Sequence, residues 1–251
     1  MNKFSYTEYR NIITLVKSKL RIVDFKEVID YGIDTFCVLR HDIEFSVDRA
    51  LTMARIEANE LEVKSTYTVQ LRNNTYNALS QKNIEAIQEI KKLGHKIGLH
   101  QNPPNISGQE LIDYIQKDID TLEHYYDFEV DRFAFHRCGS YPEILKDPVK
   151  VPNKINCYDK KFFHYFQGEK PKKGFHAHYI ADSNHQWKYG HPMRVDYQSY
   201  PYRMQLLTHP YSWTEDGYEN INNFAKLIKE RNTELLSDMN TETKTFPKEL
   251  F

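Results

Sequence analysis

The hydrophobic pattern of this 251-residue chain switches repeatedly between a helical and an extended period. Apolar residues spaced three and four apart predict helices over 6–20, 46–61, 83–93, 107–126 and 217–237. Short runs of β-branched, aromatic and other apolar residues predict strands over 35–39, 65–69, 96–100, 132–136, 154–158, 176–181 and 204–208. Strands and helices in alternation are typical of a parallel sheet, either open or closed into a barrel.

Two helices carry further local signals. Thr7 is the expected cap of the first helix. The last helix is predicted to be amphipathic, with Ile221, Phe224, Ile228 and Leu235 near helical spacing. The polar tail after about residue 238 is expected to fray.

Length and charge limit the class of protein. A chain of 251 residues can bury a full core, and we expect a single domain over 1–251. The net charge is −1 and the 34 basic and 35 acidic residues are dispersed, so no nucleic-acid partner is predicted. No segment approaches the roughly 18 apolar residues of a membrane span. The polar amino terminus and three cysteines without metal spacing predict a cytoplasmic protein with reduced thiols.

Two carboxylates, Asp42 and Glu44, follow the first predicted strand. Because they are two residues apart, they point to the same side of an extended backbone. Two like charges at the end of a buried strand are costly without a compensating cation, and a bound metal ion would supply one. Ion pairs with Arg40 or Arg49 are the structural alternative.

Histidines end three further predicted strands, at His100, His136 and His209. In a parallel sheet the carboxyl ends of the strands lie on one face, so these side chains can converge. One carboxylate and two imidazoles, with an open position for water, are a common ligand set for a hydrolytic Zn²⁺. A remaining carboxylate and histidine would then serve as general base and general acid. A lone histidine at a strand end is more often a capping or rim residue, and it is the coincidence of four such ends that favours a site.

Five stretches, taken in their order and spacing, resemble one known family: 39–46, 93–100, 133–137, 180–187 and 206–213. They are similar to the motifs of the NodB-like polysaccharide deacetylases (carbohydrate esterase family four), in particular a cytoplasmic branch with a His-Asp-x-Asp/Glu first motif. The resemblance covers roughly residues 4–236. It implies an α/β fold, a distorted (β/α) barrel of about seven strands, with one divalent metal that is most often Zn²⁺.

The resemblance also implies an activity: a metal-dependent hydrolase that removes an N-acetyl or O-acetyl group from a sugar. In this family an aspartate takes a proton from water at the metal, and a histidine protonates the leaving amine. Carried over to this chain, Asp42 is the base, His209 is the acid and Arg137 is the arginine that orients the base. Glu44 and His100 are metal ligands.

Two departures from the family pattern bear on these roles. Ile43 separates carboxylates that are adjacent in the family, so whether Asp42 or Glu44 is the base stays open. The second histidine ligand of the family would fall at Pro104, which cannot ligate a metal. His136 is the candidate replacement, because it ends the neighbouring predicted strand.

Asp182, Trp187 and Trp213 lie in or at the end of the last two stretches and are the candidate substrate-binding residues. The tryptophans would stack on the apolar face of a sugar or belong to the core. The expected partner is an acetylated sugar, nucleotide-, lipid- or polymer-linked, in surface polysaccharide biosynthesis. Two alternatives stay open: an amidohydrolase of a non-sugar amide, and a catalytically degenerate saccharide-binding or scaffold protein of the same fold.

Overall fold

Seven parallel strands form one sheet in the computed structural model, which describes residues 3–102, 104–140, 142–164, 177–198 and 201–247. The strands are β1 (Phe36–Ile43), β2 (Thr66–Val69), β3 (Lys96–Gln101), β4 (Arg132–Phe135), β5 (Ile155–Asn156), β6 (His178–Ala181) and β7 (Arg203–Thr208). Their order is β5-β4-β3-β2-β1-β7-β6. The sheet curls into a half-barrel with β5 and β6 at its edges, so the predicted distorted (β/α) barrel of about seven strands is confirmed.

The helices are α1 (Tyr6–Lys19), α2 (Phe25–Tyr31), α3 (Val47–Ile56), α4 (Gln81–Lys92), α5 (Gly108–Tyr126), α6 (Pro142–Lys146) and α7 (Asn220–Glu242). The sequence pattern did not predict α2 or α6, which are too short to show a clear apolar period. The predicted cap at Thr7 is wrong. Ser5 is the last extended residue before α1, and its hydroxyl accepts a hydrogen bond from the N–H of Glu8.

Strand β1 ends at Ile43 rather than at Leu39. Its carboxyl half pairs with β2 over Arg40–Ile43, and its pairing with β7 runs from Phe36 to His41. The polar side chains in this half have buried partners, so the strand continues into the charged segment. Because side chains alternate along a strand, Arg40 and Asp42 point to one side of the sheet and His41 points to the other. The predicted end of the first strand at Leu39 is therefore wrong.

Helix α7 departs from its predicted packing. An apolar row on an amphipathic helix normally faces the core. In this structure only Phe224 of the predicted row turns inward, where its ring contacts Phe45 and Tyr211. Ile221, Ile228 and Leu235 are exposed.

The last helix also continues past residue 238, where fraying was expected, and ends at Glu242. One predicted strand, over 176–181, is observed from His178, and its first predicted residue lies outside the described part of the chain.

Buried hydrophobic residues form two clusters. The larger joins α3, α4 and α5 to the sheet and includes Ile87 and Ile97, whereas the smaller lies under α1 and includes Ile13 and Met204. This packing fixes the strands, and therefore also the polar residues at their carboxyl ends. Within the described ranges, no helix is both long and apolar enough to cross a membrane.

Candidate active site

A cavity of about 770 Å³ opens at the carboxyl ends of the strands. Its lining includes six residues that the sequence predicted for the site: Asp42, Glu44, His100, His136, Arg137 and His209. The structure therefore brings together groups that are up to 167 residues apart in sequence but share one end of a parallel sheet.

Glu44, His100 and His136 form a cluster whose candidate ligand atoms all lie within 4.8 Å of one another. His136 Nδ1 is 3.0 Å from Glu44 Oε1 and 3.1 Å from His100 Nε2. Two ring nitrogens and a carboxylate oxygen that face one another in this way fit a divalent cation, because the cation would take the lone pairs that otherwise repel. These are the three residues that the sequence predicted as metal ligands, and their role as ligands stays a prediction.

His136 reaches the cluster through the pairing of β3 with β4. Its backbone N–H donates to the carbonyl of Gln101 at 2.7 Å, which extends the ladder one residue past β4 and sets the imidazole beside His100. Pro104 has no side-chain donor atom for a metal. The chain thus offers a second imidazole from the neighbouring strand and not from the loop that follows β3.

Asp42 is held by Arg40, not by Arg137. Arg40 Nε and Nη2 donate to the two carboxylate oxygens of Asp42, both at 3.0 Å, and Thr68 Oγ1 donates to Oδ1 at 2.7 Å. Burial raises the pKa of Asp42, but Arg40 and nearby histidines outweigh it and lower the pKa to about 2. Asp42 is therefore ionised at neutral pH. The pairing with Arg40 considered from the sequence is observed, and the role predicted for Arg137 is wrong.

Arg137 lines the cavity from an exposed position. Its backbone has a φ of 49°, a left-handed conformation that costs energy for a residue with a side chain. Among the described residues, no hydrogen bond or ion pair engages its guanidinium. Arg137 therefore presents an unneutralised positive charge to whatever enters the cavity.

His209 is held in place by Asp182. The His209 ring Nδ1 lies 2.6 Å from Asp182 Oδ1, and the His209 backbone N–H donates to the same carboxylate at 2.9 Å. Burial lowers the pKa of His209, but Glu44 and Asp182 outweigh it and raise the pKa to about 9. The imidazole is therefore protonated at neutral pH, with Nε2 3.7 Å from Glu44 Oε1.

The three predicted substrate-binding residues do not line the cavity. Asp182 is fully buried and bonds to His209 and to the indole N–H of Trp213. Trp213 is also fully buried, and Trp187 packs beside it and Phe4. Trp213 has no accessible surface and cannot stack on a sugar, whereas Trp187 is half-buried against the smaller hydrophobic cluster and lies outside the cavity lining. These assignments are therefore corrected: Asp182 positions the histidine, Trp213 belongs to the core, and Trp187 packs against the core.

Other aromatic residues form the cavity wall: Phe45, Phe135, Tyr158, Phe163, Tyr179, Tyr189, Tyr211 and Phe224. Tyr189 is 65% exposed and also has a left-handed backbone conformation. It is thus the most accessible ring for stacking on a sugar. Nothing in the local sequence marks Tyr189, because its role depends on the loop after β6 folding over the cavity.

Gln70, which follows β2, is a further cavity residue that sequence reasoning missed. Asn73 donates one amide group to the carbonyl of Glu44 and to Gln70 Oε1, while its own Oδ1 accepts from the N–H of Thr75. These bonds settle the orientation of both amides. The Gln70 Nε2 is consequently a buried donor, and it has no partner in the described part of the chain.

A second cluster of buried polar groups lies on the other face of β1. His41 Nδ1 is 2.7 Å from Thr208 Oγ1, and His41 Nε2 is 2.9 Å from Glu57 Oε1. Glu57 also accepts from the hydroxyls of Tyr9 and Tyr67 at 2.5 and 2.7 Å. This cluster joins β1 to the end of β7, from which His209 projects, and so fixes the two strands that carry Asp42 and His209.

Replacing Glu57 with glutamine is expected to lower the free energy of unfolding by about 3–5 kcal/mol at neutral pH, because the remaining buried groups lose their anion. Burial raises the pKa of Glu57, but His41 outweighs it and lowers the pKa from 4.5 to about 2. This stabilisation is therefore present above about pH 4.5 and is lost as the pH falls toward 2. Denaturant titration at neutral pH and at acid pH should show a difference between wild type and variant that shrinks in acid.

The matched control for this experiment is Glu60→Gln, which removes a carboxylate paired with Arg10 on the surface. An exposed pair of this kind contributes about 1 kcal/mol or less. Equal losses for the two variants, or a difference that does not depend on pH, would contradict the buried ion pair.

No family model matches the sequence, and no curated protein matches it. Among solved structures the chain is similar to the chitin deacetylase of the fungal pathogen Colletotrichum lindemuthianum (13% identity, TM-score 0.43, 78% of this chain and 81% of that one). It is also similar to a CE4 family pseudoenzyme from Bacillus anthracis (16% identity, TM-score 0.42, 78% of this chain and 61% of that one). A third similar structure is a family 4 acetyl xylan esterase from Clostridium thermocellum in complex with a cobalt ion (18% identity, TM-score 0.30, 39% of this chain and 47% of that one).

The chain thus spans less than two thirds of the pseudoenzyme and about half of the esterase. The pseudoenzyme is a CE4 family protein and the esterase is a family 4 acetyl xylan esterase. What the protein does is inferred from the geometry of its own site.

Proposed function

We propose that this protein is a metal-dependent hydrolase that removes an acetyl group, N-linked or O-linked, from a sugar. One observation carries the proposal: Glu44, His100 and His136 converge in a cavity that also holds Asp42 and His209. This set contains three ligands, an anionic carboxylate and a protonated imidazole, which are the groups that acyl hydrolysis requires. Our choice of metal is Zn²⁺, for which one carboxylate and two imidazoles are a usual catalytic ligand set.

Glu44, His100 and His136 would hold the metal, which when bound supplies a Lewis acid for the acetyl carbonyl and makes water more acidic. The proton transfers belong to the chain. Asp42 is ionised, and its Oδ2 faces the cluster, 3.7 Å from His100 Nε2. We assign Asp42 as the base that takes the proton of the attacking water.

His209 is the acid in this scheme. Its Nδ1 is engaged by Asp182, so the proton available to a substrate is on Nε2, which is on the cavity side. As the bond between the acetyl carbon and the sugar nitrogen or oxygen breaks, Nε2 donates its proton to the departing atom. Acetate and the free amino or hydroxyl sugar are the products.

The cavity supports a substrate larger than one sugar ring, since its volume of about 770 Å³ lies high in the range of about 300–1,000 Å³ for small-molecule sites. Arg137 and Lys188 line it, and no ion pair engages either side chain among the described residues. These charges favour a sugar linked to phosphate, as in a nucleotide- or lipid-linked precursor of a surface polysaccharide.

The test is acetate release by the metal-loaded protein from four compounds: a nucleoside-diphosphate-linked N-acetyl sugar, the free sugar, a neutral acetylated oligosaccharide and a non-sugar acetamide. We expect the phosphate-linked sugar to be hydrolysed with the lowest KM. Arg137→Ala should raise that KM about tenfold or more, because a charge-assisted hydrogen bond contributes about 1.5–3 kcal/mol. The control is Lys117→Ala, at an exposed position on α5.

Acetate release from none of the four would contradict the hydrolase, and sugar binding without hydrolysis would identify a saccharide-binding protein. Hydrolysis of the acetamide alone would identify an amidohydrolase of non-sugar substrates. Hydrolysis of the neutral sugars with an unchanged KM in Arg137→Ala would reject the phosphate linkage only.

A further inference from the structure

Helix α7 carries a row of exposed residues along its outer side: Ile221, Ala225, Ile228, Asn232, Leu235 and Met239. The four large apolar members are 82%, 59%, 55% and 46% exposed, in sequence order. They are four of the nine large hydrophobic residues that are exposed in the described chain. Such a concentration on one helix is the mark of an interaction surface.

The spacing along this row alternates between four and three residues. At about 100° per residue, all six side chains lie within about 40° of one line along the helix. This is the narrow core stripe of a coiled coil, not the broader face with which a helix covers a globular core. The row extends over about three heptads, nearly the whole of α7.

The inner side of α7 is already occupied by its own domain. Asn223 and Leu227 are buried, and Asn223 bonds to Arg49 and to the carbonyl of Tyr211. Glu230 pairs with Arg49 on the same side. At about 100° per residue, these residues lie about a third to a half of a turn around the helix from the central line of the exposed row, so the domain does not block access to it.

We propose that this row pairs with the same row of a second copy of the chain, as a parallel two-helix coiled coil. Asn232 is the single polar residue in the row. In a parallel two-fold pair it meets its own counterpart, and the two amides bond to each other. An apolar partner would leave the Asn232 amide buried without a hydrogen bond, which is unfavourable.

The dimensions also fit a pair of identical helices. Helix α7 has 23 residues, and two such helices in contact along their length bury on the order of 1,000 Å² in total. That area lies at the lower limit for a specific interface, so a reversible dimer is expected. Two-fold symmetry makes the contact self-complementary and closes it at two copies.

The test is the mass of the whole chain in solution, by light scattering and sedimentation equilibrium over a range of concentrations. The chain has a mass of 29.9 kDa, and we expect twice that value at high concentration. The double variant Ile228→Glu/Leu235→Glu should return the mass to that of one chain. The control is Thr233→Glu, which adds one such carboxylate at an exposed position off the row and should leave the dimer intact.

Cross-linking tests the parallel arrangement. In a Cys138→Ser background, where the remaining Cys37 and Cys157 are buried, Asn232→Cys should form an intermolecular disulfide on mild oxidation and Thr233→Cys should not. A wild type that is monomeric at every concentration would overturn the proposal, and the row would then bind something else. A dimer that persists in the double glutamate variant would overturn it too, and an uncross-linked Asn232→Cys dimer would reject the parallel pairing.

Discussion

A His136→Ala variant is expected to bind its divalent metal far more weakly than wild type, by more than the roughly 10- to 100-fold that loss of an outer-sphere partner causes. His136 Nδ1 lies within 3.0–3.1 Å of both Glu44 and His100, so its removal leaves two ligands of the cluster. Pro104, at the position where the related motifs have a histidine, offers no replacement. Metal content after dialysis and calorimetric titration with Zn²⁺ measure the effect.

The matched control is His124→Ala, which removes a histidine exposed on α5 and should not change metal content. Full retention of metal by His136→Ala would show that the site uses another second imidazole. A wild-type protein that takes up no metal would reject the centre altogether. Either result is independent of the substrate, because the measurement does not require turnover.

An Asp42→Asn variant is expected to keep its metal but to lose about 10²- to 10⁴-fold in kcat, the usual contribution of a general base. The asparagine side chain is nearly the same size, and its single oxygen can still accept the bonds that Arg40 Nε and Thr68 donate to Oδ1. It cannot take a proton from water. Acetate release at saturating substrate, measured beside metal content, separates the two effects.

The control is Asp131→Asn, a second aspartate that is paired with an arginine, Arg132, but lies at the opposite end of β4. Its activity should match that of wild type. Loss of metal in Asp42→Asn would exchange the roles of the two carboxylates, making Asp42 a ligand and Glu44 the base. Undiminished kcat would remove Asp42 from the mechanism.

Geometry supports the division of labour that the inserted Ile43 left open. Glu44 is the carboxylate within hydrogen-bond distance of an imidazole, at 3.0 Å from His136, whereas Asp42 is 3.7 Å from His100. The side chain of Asp42 is more deeply buried than that of Glu44, and Arg40 neutralises its charge. A carboxylate held at both oxygens by a fixed cation is well oriented for proton transfer, whereas the carboxylate among histidines is placed to bind a metal.

Much of the fold was predictable from local sequence. Apolar periods mark the longer helices and the strands because burial of one face of each element depends on residues a few positions apart. That Glu44, His100, His136 and His209 meet in one cavity was also predictable, since each lies in or just after the carboxyl end of an apolar strand and strand ends meet in a parallel sheet. The short helices α2 and α6 were not predicted, because a helix of one or two turns has too few residues to show an apolar period.

The sequence by itself determined which elements form and which chemical groups stand at their ends. Only the tertiary structure decided which groups are partners. It paired Arg40 with Asp42 and Asp182 with His209, placed Trp213 in the core, and turned the apolar row of α7 outward. The physical reason is that secondary structure depends on neighbours in sequence, whereas burial and ion pairing depend on strand order and on the close packing of distant segments.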